Sequence, residues 1–132
     1  MLVAQISDTH ILVPEAEHPA AELRGDCLRR TVADINKQHP DAVVITGDTV
    51  QHGQPEEYAH LRKLLAPLDA PVYLVPGNRD DKNELRAAFG DCPYIAGTGE
   101  FLHYVIDEYD IRLVGIDSTL VGERKGRFCT AR

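Results

Sequence analysis

The chain has 132 residues, with 14 Lys and Arg against 21 Asp and Glu, and its net charge is −7. This length corresponds to one domain, and the acidic balance argues against a protein that holds a nucleic-acid polymer or an anionic membrane surface. No apolar run approaches the ~20 residues that a membrane-spanning helix requires.

Three short apolar segments predict parallel strands in the first part of the chain. Residues 2–6, 42–45 and 72–75 are nearly continuous in apolar side chains, which is typical of strands buried on both faces of a sheet. Helical patterns follow each segment, over residues 23–38, from Pro55 to Leu68, and over residues 80–89 with Gly90 as a left-handed cap. The alternation predicts an α/β fold with right-handed crossovers.

The pattern changes after Pro93. Residues 101–106 and 111–116 predict two strands of an antiparallel hairpin, joined by the polar segment 107–110. Residues 11–22 contain two prolines and no strong period, so they form a loop long enough to serve a function.

Polar residues follow the carboxyl end of each predicted parallel strand. Asp8 and His10 follow the first strand, Asp48 follows the second and Asn78 the third. Such strand ends share one edge of a sheet, where ligands bind. Asp8 and His10 are two residues apart, so a continuing strand would point both side chains the same way. Carboxylate, imidazole and amide ligands suit Mn, Fe, Zn or Co.

The spacing of these residues resembles a known signature. Asp8-Thr9-His10, Gly47-Asp48 and Gly77-Asn78-Arg79-Asp80 are similar to the D-x-H, G-D and G-N-H-[DE] motifs of calcineurin-like metallophosphoesterases. The surrounding residues look most like the branch that holds glycerophosphodiesterases and class III cyclic-nucleotide phosphodiesterases. The resemblance implies a metallophosphoesterase-type sheet sandwich, a mixed parallel sheet with flanking helices. It covers only the first half of a family domain, so residues 1–132 are expected to be a truncated, N-terminal portion of one domain.

The resemblance also implies a chemistry. Two divalent or trivalent ions (Mn, Fe, Zn or Co) would lie side by side, with Asp8 and His10 on the first ion, Asp48 bridging both and Asn78 on the second. A hydroxide that bridges the ions would then hydrolyse a small phosphodiester, either a glycerophosphodiester or a cyclic nucleotide.

Arg79 is a departure from the family pattern, which has histidine at that position. Arginine can stabilise a phosphate but cannot donate a proton, so we expect Arg79 to contact the phosphoryl group, with Asp80 as its partner in the catalytic motif. His52 lies four residues after Asp48 and is a candidate for substrate contact or for support of a residue that makes it.

Later histidines of the family have no counterpart in this chain, and His18, His39, His60 and His103 are expected to be structural. We therefore expect weak metal binding and little turnover from the isolated chain, with self-association or a missing C-terminal half. A non-catalytic module of the same fold, binding a ligand or partner, is the main alternative. A flavodoxin-like receiver domain fits poorly, because the third strand ends in Asn78 rather than in an aspartate.

Three widely spaced cysteines match no zinc site and make a poor disulfide framework. The chain also begins without the basic residues and long apolar stretch of a signal peptide. We therefore expect a cytoplasmic protein.

Overall fold

A computed structural model describes residues 1–97 and 99–130 of the chain. The elements in chain order are β1 (Val3–Ile6), α1 (Ala21–Gln38), β2 (Ala42–Thr46), α2 (Pro55–Leu65), β3 (Val72–Val75), α3 (Lys82–Ala88), β4 (Tyr104–Ile106) and β5 (Leu113–Gly115). Every helix within these described ranges is too short or too polar to cross a membrane. The predicted order of strands and helices is confirmed.

The first three strands form a parallel sheet with β2 in the centre. Strands β4 and β5 form a separate antiparallel pair, in which Tyr104 lies opposite Gly115. Both the parallel pairing and the hairpin are therefore confirmed. Beyond the strand ends, Ile11 and Val50 form one further parallel bridge. The segments that follow β1 and β2 therefore pair again after Asp8, His10 and Asp48.

Strand β2 divides the core because its successive side chains point to opposite faces. Val43 and Ile45 belong to the larger apolar cluster, which also contains buried apolar side chains from all three helices. On the other face, Ala42 packs with Tyr73 of β3 and Ile106 of the hairpin. The sheet is thus covered by helices on one side and by the hairpin on the other, and its carboxyl edge stays open to solvent.

Two details of the helix ends differ from the sequence prediction. Helix α2 ends at Leu65, so Leu68 lies beyond it, although it packs against the core from there. The predicted left-handed cap at Gly90 is wrong, because α3 ends at Ala88, its C-cap is Phe89 with a φ of −117°, and Gly90 is not among the residues with positive φ. The left-handed cap occurs instead at His39, which ends α1 with a φ of 47°.

Candidate metal centre

The loops that follow β1 and β2 run side by side and carry three of the predicted ligands. The Asp8 N–H donates to the Gly47 carbonyl at 3.1 Å, and the His10 N–H donates to the Asp48 carbonyl at 3.0 Å. Because backbone hydrogen bonds fix both loops, the side chains of Asp8, His10 and Asp48 are presented from a paired, ordered scaffold.

The backbone at these ligands is unusual. Asp8, His10 and Asp48 have φ angles of 54°, 46° and 47°. Left-handed geometry is uncommon for residues other than glycine and costs on the order of 1 kcal/mol or more at each position. Strand β1 ends at Ile6, as the apolar segment predicts, so strand geometry does not persist through Asp8 and His10. Turned backbone, rather than an extended strand, aims both side chains at the same place.

The three side chains converge. His10 Nε2 lies 3.8 Å from Asp8 Oδ1 and 3.8 Å from Asp48 Oδ2. One ligand atom from each residue lies within 4.8 Å of the other two. These separations exceed a hydrogen bond, and they suit donor atoms that each approach a shared cation at ~2.0–2.2 Å.

The charges at this cluster fit a metal ion. Among the described residues, neither Asp8 nor Asp48 forms an ion pair with a lysine or arginine. His10 Nδ1 is buried and has no hydrogen-bond partner within the described part of the chain. Two unpaired carboxylates repel each other unless a cation lies between them, and carboxylate with imidazole suits Mn, Fe, Zn or Co. The residues present therefore fit one ion.

Glycines let the loop after β3 approach the cluster closely. A β-carbon on Gly47 would lie 2.8 Å from the Gly77 Cα, and one on Gly77 would collide with Asp48. The Arg79 N–H also donates to Asp48 Oδ1 at 2.9 Å, which fixes the rotation of that carboxylate. Glycine is required before both polar positions because no side chain fits between the two loops.

Asn78 and Arg79 border the site from the loop after β3. Asn78 lines a cavity of about 270 Å³ together with Asp8 and Asp48, and we call it the ligand cavity because it contains these two predicted metal ligands. Asn78 and Arg79 also line a neighbouring cavity of about 660 Å³, and His52 lies on its wall. The structure thus brings Asn78 onto the ligand cavity and places Arg79 and His52 on the adjoining one.

Asp80 lies behind the site and joins its loops. Its carboxylate accepts bonds from the Thr49 hydroxyl at 2.5 Å and from the Gly77 N–H at 2.8 Å, as well as from Thr49 N–H, Val50 N–H and the Tyr58 hydroxyl. Burial, followed by the charge of Asp80, raises the pKa of Tyr58, so the phenol stays protonated and donates. Both oxygens of Asp80 accept hydrogen bonds from the protein. Asp80 is therefore suited to holding the loops after β2 and β3 in position.

Thr49, Tyr58 and Arg24 also support the site, and no sequence motif marks them. Arg24 of α1 donates to the His10 carbonyl at 2.9 Å and to Gln51 Oε1 at 2.8 Å, which ties that helix to the first loop. These contacts join residues far apart in the chain, so no local pattern marks them.

Cations from the segment after β5 also line the ligand cavity. Arg124 and Lys125 lie on its wall, and no motif in the sequence marks them. Their signal is a pair of adjacent basic residues in an acidic chain. They provide positive charge beside the carboxylates.

Asp117 anchors this segment. Its carboxylate is fully buried and accepts bonds from Thr119 N–H at 2.8 Å, Leu102 N–H at 3.1 Å and Lys82 Nζ at 3.1 Å. Burial by itself would raise the pKa of Asp117, but these bonds together hold its pKa below the ordinary value.

The other histidines lie in local structure outside the cluster. His60 Nδ1 lies 2.8 Å from the Leu12 carbonyl, and His103 Nδ1 accepts the Asp117 N–H at 3.0 Å. His39 caps α1, and His18 Nδ1 accepts the Ala20 N–H at 3.1 Å.

Known proteins resemble this chain in sequence and in fold. A family model described as calcineurin-like phosphoesterase matches residues 1–126. The chain is 38% identical to the glycerophosphodiester phosphodiesterase GpdQ of Enterobacter lignolyticus, over 96% of this chain and 46% of that protein. It is 32% identical to a cAMP/cGMP dual specificity phosphodiesterase of Mycobacterium tuberculosis, over 95% of this chain and 40% of that protein.

A dimetal phosphatase from Danio rerio has a similar structure, with a TM-score of 0.61 and 19% identity over 88% of this chain and 43% of that chain. The chain thus spans less than half the length of these relatives. The fold, the motifs at its open edge and the match over residues 1–126 agree, and the chain belongs to the calcineurin-like phosphoesterase family.

Proposed function

We propose that this chain forms the metal-binding part of a phosphodiesterase that hydrolyses small phosphodiesters. The observation that carries the proposal is the convergence of Asp8, His10 and Asp48, whose ligand atoms lie within 4.8 Å of one another at the open edge of the sheet. Relatives named as glycerophosphodiester and cyclic-nucleotide phosphodiesterases support the same reaction class.

In this proposal Asp8, His10 and Asp48 hold the first ion, and Asn78 binds a second ion that shares Asp48. Bound divalent or trivalent ions supply positive charge to phosphoryl oxygens and lower the pKa of water. The Arg79 N–H keeps the Asp48 carboxylate in position through its 2.9 Å bond. The convergence of three ligands supports the first ion most directly.

Positive side chains give this acidic protein a place for a phosphate group. Arg79 lies on the larger cavity, and Arg124 and Lys125 line the ligand cavity. A guanidinium makes paired, charge-assisted hydrogen bonds to phosphate oxygens and keeps its proton. We therefore assign phosphate contact to Arg79, and we assign the positioning of the loops around the site to Asp80.

Cavity size favours a small substrate. The larger cavity, about 660 Å³, falls in the range that holds small ligands, and the adjoining cavity of about 270 Å³ lies just below that range. A glycerophosphodiester is the first substrate to test, because the relative with 38% identity is named for that activity. Cyclic nucleotides are the second.

The test measures hydrolysis of a glycerophosphodiester, cyclic AMP and bis(p-nitrophenyl) phosphate by the chain with and without added Mn²⁺. We expect slow, Mn²⁺-dependent hydrolysis, because few ligands hold the ions. Asp48→Ala abolishes it, whereas Asp26→Ala, on the exposed side of α1, serves as the matched control. Metal analysis accompanies the assay. If the chain neither binds Mn²⁺ nor hydrolyses any of the three esters, the hypothesis of a non-catalytic module is favoured. Arg79, which stands where the family has histidine, would be consistent with that result.

Two expectations about the wider protein stay predictions. Self-association, or cover by a further part of the domain, is supported by exposed apolar side chains on the hairpin, where Val105 and Val114 are 52% and 56% exposed. A cytoplasmic location depends on the sequence pattern alone.

A further inference from the structure

A histidine and a buried carboxylate form a pair beside the larger cavity. His52 Nδ1 lies 2.9 Å from Glu57 Oε1. The Glu57 side chain is 4% exposed, whereas that of His52 is 56% exposed. A carboxylate only accepts, so Nδ1 carries the hydrogen of this bond and Nε2 is the nitrogen left for the cavity.

Helix capping explains only part of this arrangement. Glu57 is the third residue of α2, and its other oxygen accepts from the N–H groups of His52 at 2.9 Å and Gln54 at 3.3 Å. These bonds satisfy free N–H groups near the helix start. The bond to the ring adds nothing to the cap. Its effect is to fix the orientation and the protonated nitrogen of an exposed imidazole, as in acid–base pairs.

Close packing holds His52 next to the loop after β3, which carries Arg79, the residue assigned to phosphate contact. The following residue, Gly53, has a φ of 71°, and a β-carbon there would lie 3.1 Å from the Asp81 N and 3.3 Å from the Arg79 carbonyl oxygen. His52 and Arg79 therefore line one cavity from adjoining loops.

Other charged groups among the described residues line this cavity. They are Arg79, Asp80, Asp81, Lys82, Arg86 and Glu100. Arginine keeps its proton, Lys82 is paired with buried Asp117 at 3.1 Å, and Asp81 caps α3. Imidazole is the side chain that both binds and releases a proton near neutral pH. His52 is thus the group on this wall best suited to proton transfer.

We propose that His52, oriented by Glu57, is the general acid that protonates the leaving alcohol of an alkyl phosphodiester. This role rests on the proposed function. A water oxygen forms the new bond to phosphorus, and the bond from phosphorus to the leaving oxygen breaks with its electron pair going to that oxygen. The imidazolium Nε2 gives its proton to the same oxygen. The attacking water releases a proton that restores the imidazolium through solvent, and the products are an alcohol and a phosphomonoester.

The test compares two diesters in the Mn²⁺-loaded chain. An alkoxide leaves poorly without a proton, whereas p-nitrophenolate is a stable anion that leaves without one. His52→Gln therefore lowers the turnover of a glycerophosphodiester by about 100-fold and that of bis(p-nitrophenyl) phosphate by less than about threefold, since general acids contribute 10²–10⁴. Glu57→Gln retains the side chain that caps α2. It lowers the ratio of glycerophosphodiester turnover to bis(p-nitrophenyl) phosphate turnover less than His52→Gln does. His18→Gln removes an exposed histidine as the matched control and leaves the ratio unchanged.

A second readout does not depend on activity. In ¹⁵N spectra of the unloaded protein, the neutral ring of His52 carries its proton on Nδ1, and Glu57→Gln removes this preference. Protonation on Nε2 instead would overturn the geometry. An equal loss on both esters, or no loss on either, would overturn the acid role while the proposed function stands. A wild-type chain that hydrolyses neither ester would overturn both.

Discussion

Replacing Asp80 by asparagine perturbs the junction between the loops after β2 and β3. Oδ1 accepts the Thr49 hydroxyl at 2.5 Å and Oδ2 accepts the Gly77 N–H at 2.8 Å. Asparagine keeps one acceptor oxygen and places an amide NH₂ at the other position. In one orientation the NH₂ faces the Gly77 N–H, and in the other it faces the Thr49 and Val50 N–H groups, so backbone donors face a second donor in both.

The expected loss of stability follows from these contacts. A hydrogen bond to a charged group contributes about 1.5–3 kcal/mol, and a donor left without a partner in the interior costs about 1–3 kcal/mol. Asp80→Asn therefore lowers the free energy of unfolding by about 3 kcal/mol or more. For a domain of this size that corresponds to a melting temperature lower by about 10 °C.

Urea unfolding followed by circular dichroism, in the presence of a chelator, measures this loss without a contribution from bound metal. Asp81→Asn is the matched control, because Asp81 accepts the N–H groups of Asn83 and Glu84 as the cap of α3 and asparagine caps a helix equally well. The control changes the unfolding free energy by less than about 0.5 kcal/mol. If both variants shift the urea midpoint by the same amount, the account of Asp80 is wrong.

Three further changes probe the site and its support. Asp8→Asn weakens Mn²⁺ binding at least about tenfold by calorimetry, yet leaves the metal-free protein equally or more stable to heat, because asparagine tolerates left-handed backbone and carries no charge. A less stable metal-free variant would contradict this. Arg79→Ala weakens inhibition by inorganic phosphate about tenfold or more, through loss of charge-assisted bonds, and Arg79→Lys restores part of it; equal inhibition in all three proteins would refute the contact. The lowered pKa of Asp117 means that its carboxylate contributes fully to stability above pH ~4 and that this contribution is lost as the pH falls through the folded-state pKa. The unfolding free energies of the native protein and Asp117→Asn therefore approach each other as the pH falls below about 4, and a difference that stays constant there would count against this account.

The order of elements and the edge that carries the ligands could be predicted from the sequence because both depend on local pattern. Continuous apolar segments marked buried strands, and parallel strands bring their carboxyl ends to one edge. Asp8, His10 and Asp48 therefore lie together as expected. The hairpin followed from two apolar segments around residues 107–110, and its register confirms it.

Features that depend on distant contacts could not be predicted. Asp80 stands in a recognisable motif, but its engagement by Thr49 and Tyr58 depends on how three loops pack. The cap of α3 fell at Phe89 rather than Gly90, because glycine permits left-handed backbone without requiring it. The left-handed backbone that turns Asp8 and His10 toward Asp48 could not be predicted either, since the strand pattern ends at Ile6 and says nothing about the loop beyond it.

The left-handed backbone at Asp8, His10 and Asp48 sets stability against activity. Glycine adopts this geometry without steric strain, so a glycine at any of the three positions relaxes the loop while it deletes a ligand. A mutant library selected for heat resistance alone would be enriched early in variants that have lost a metal ligand. Engineering of this protein toward thermostability therefore has to select for cation affinity in the same round.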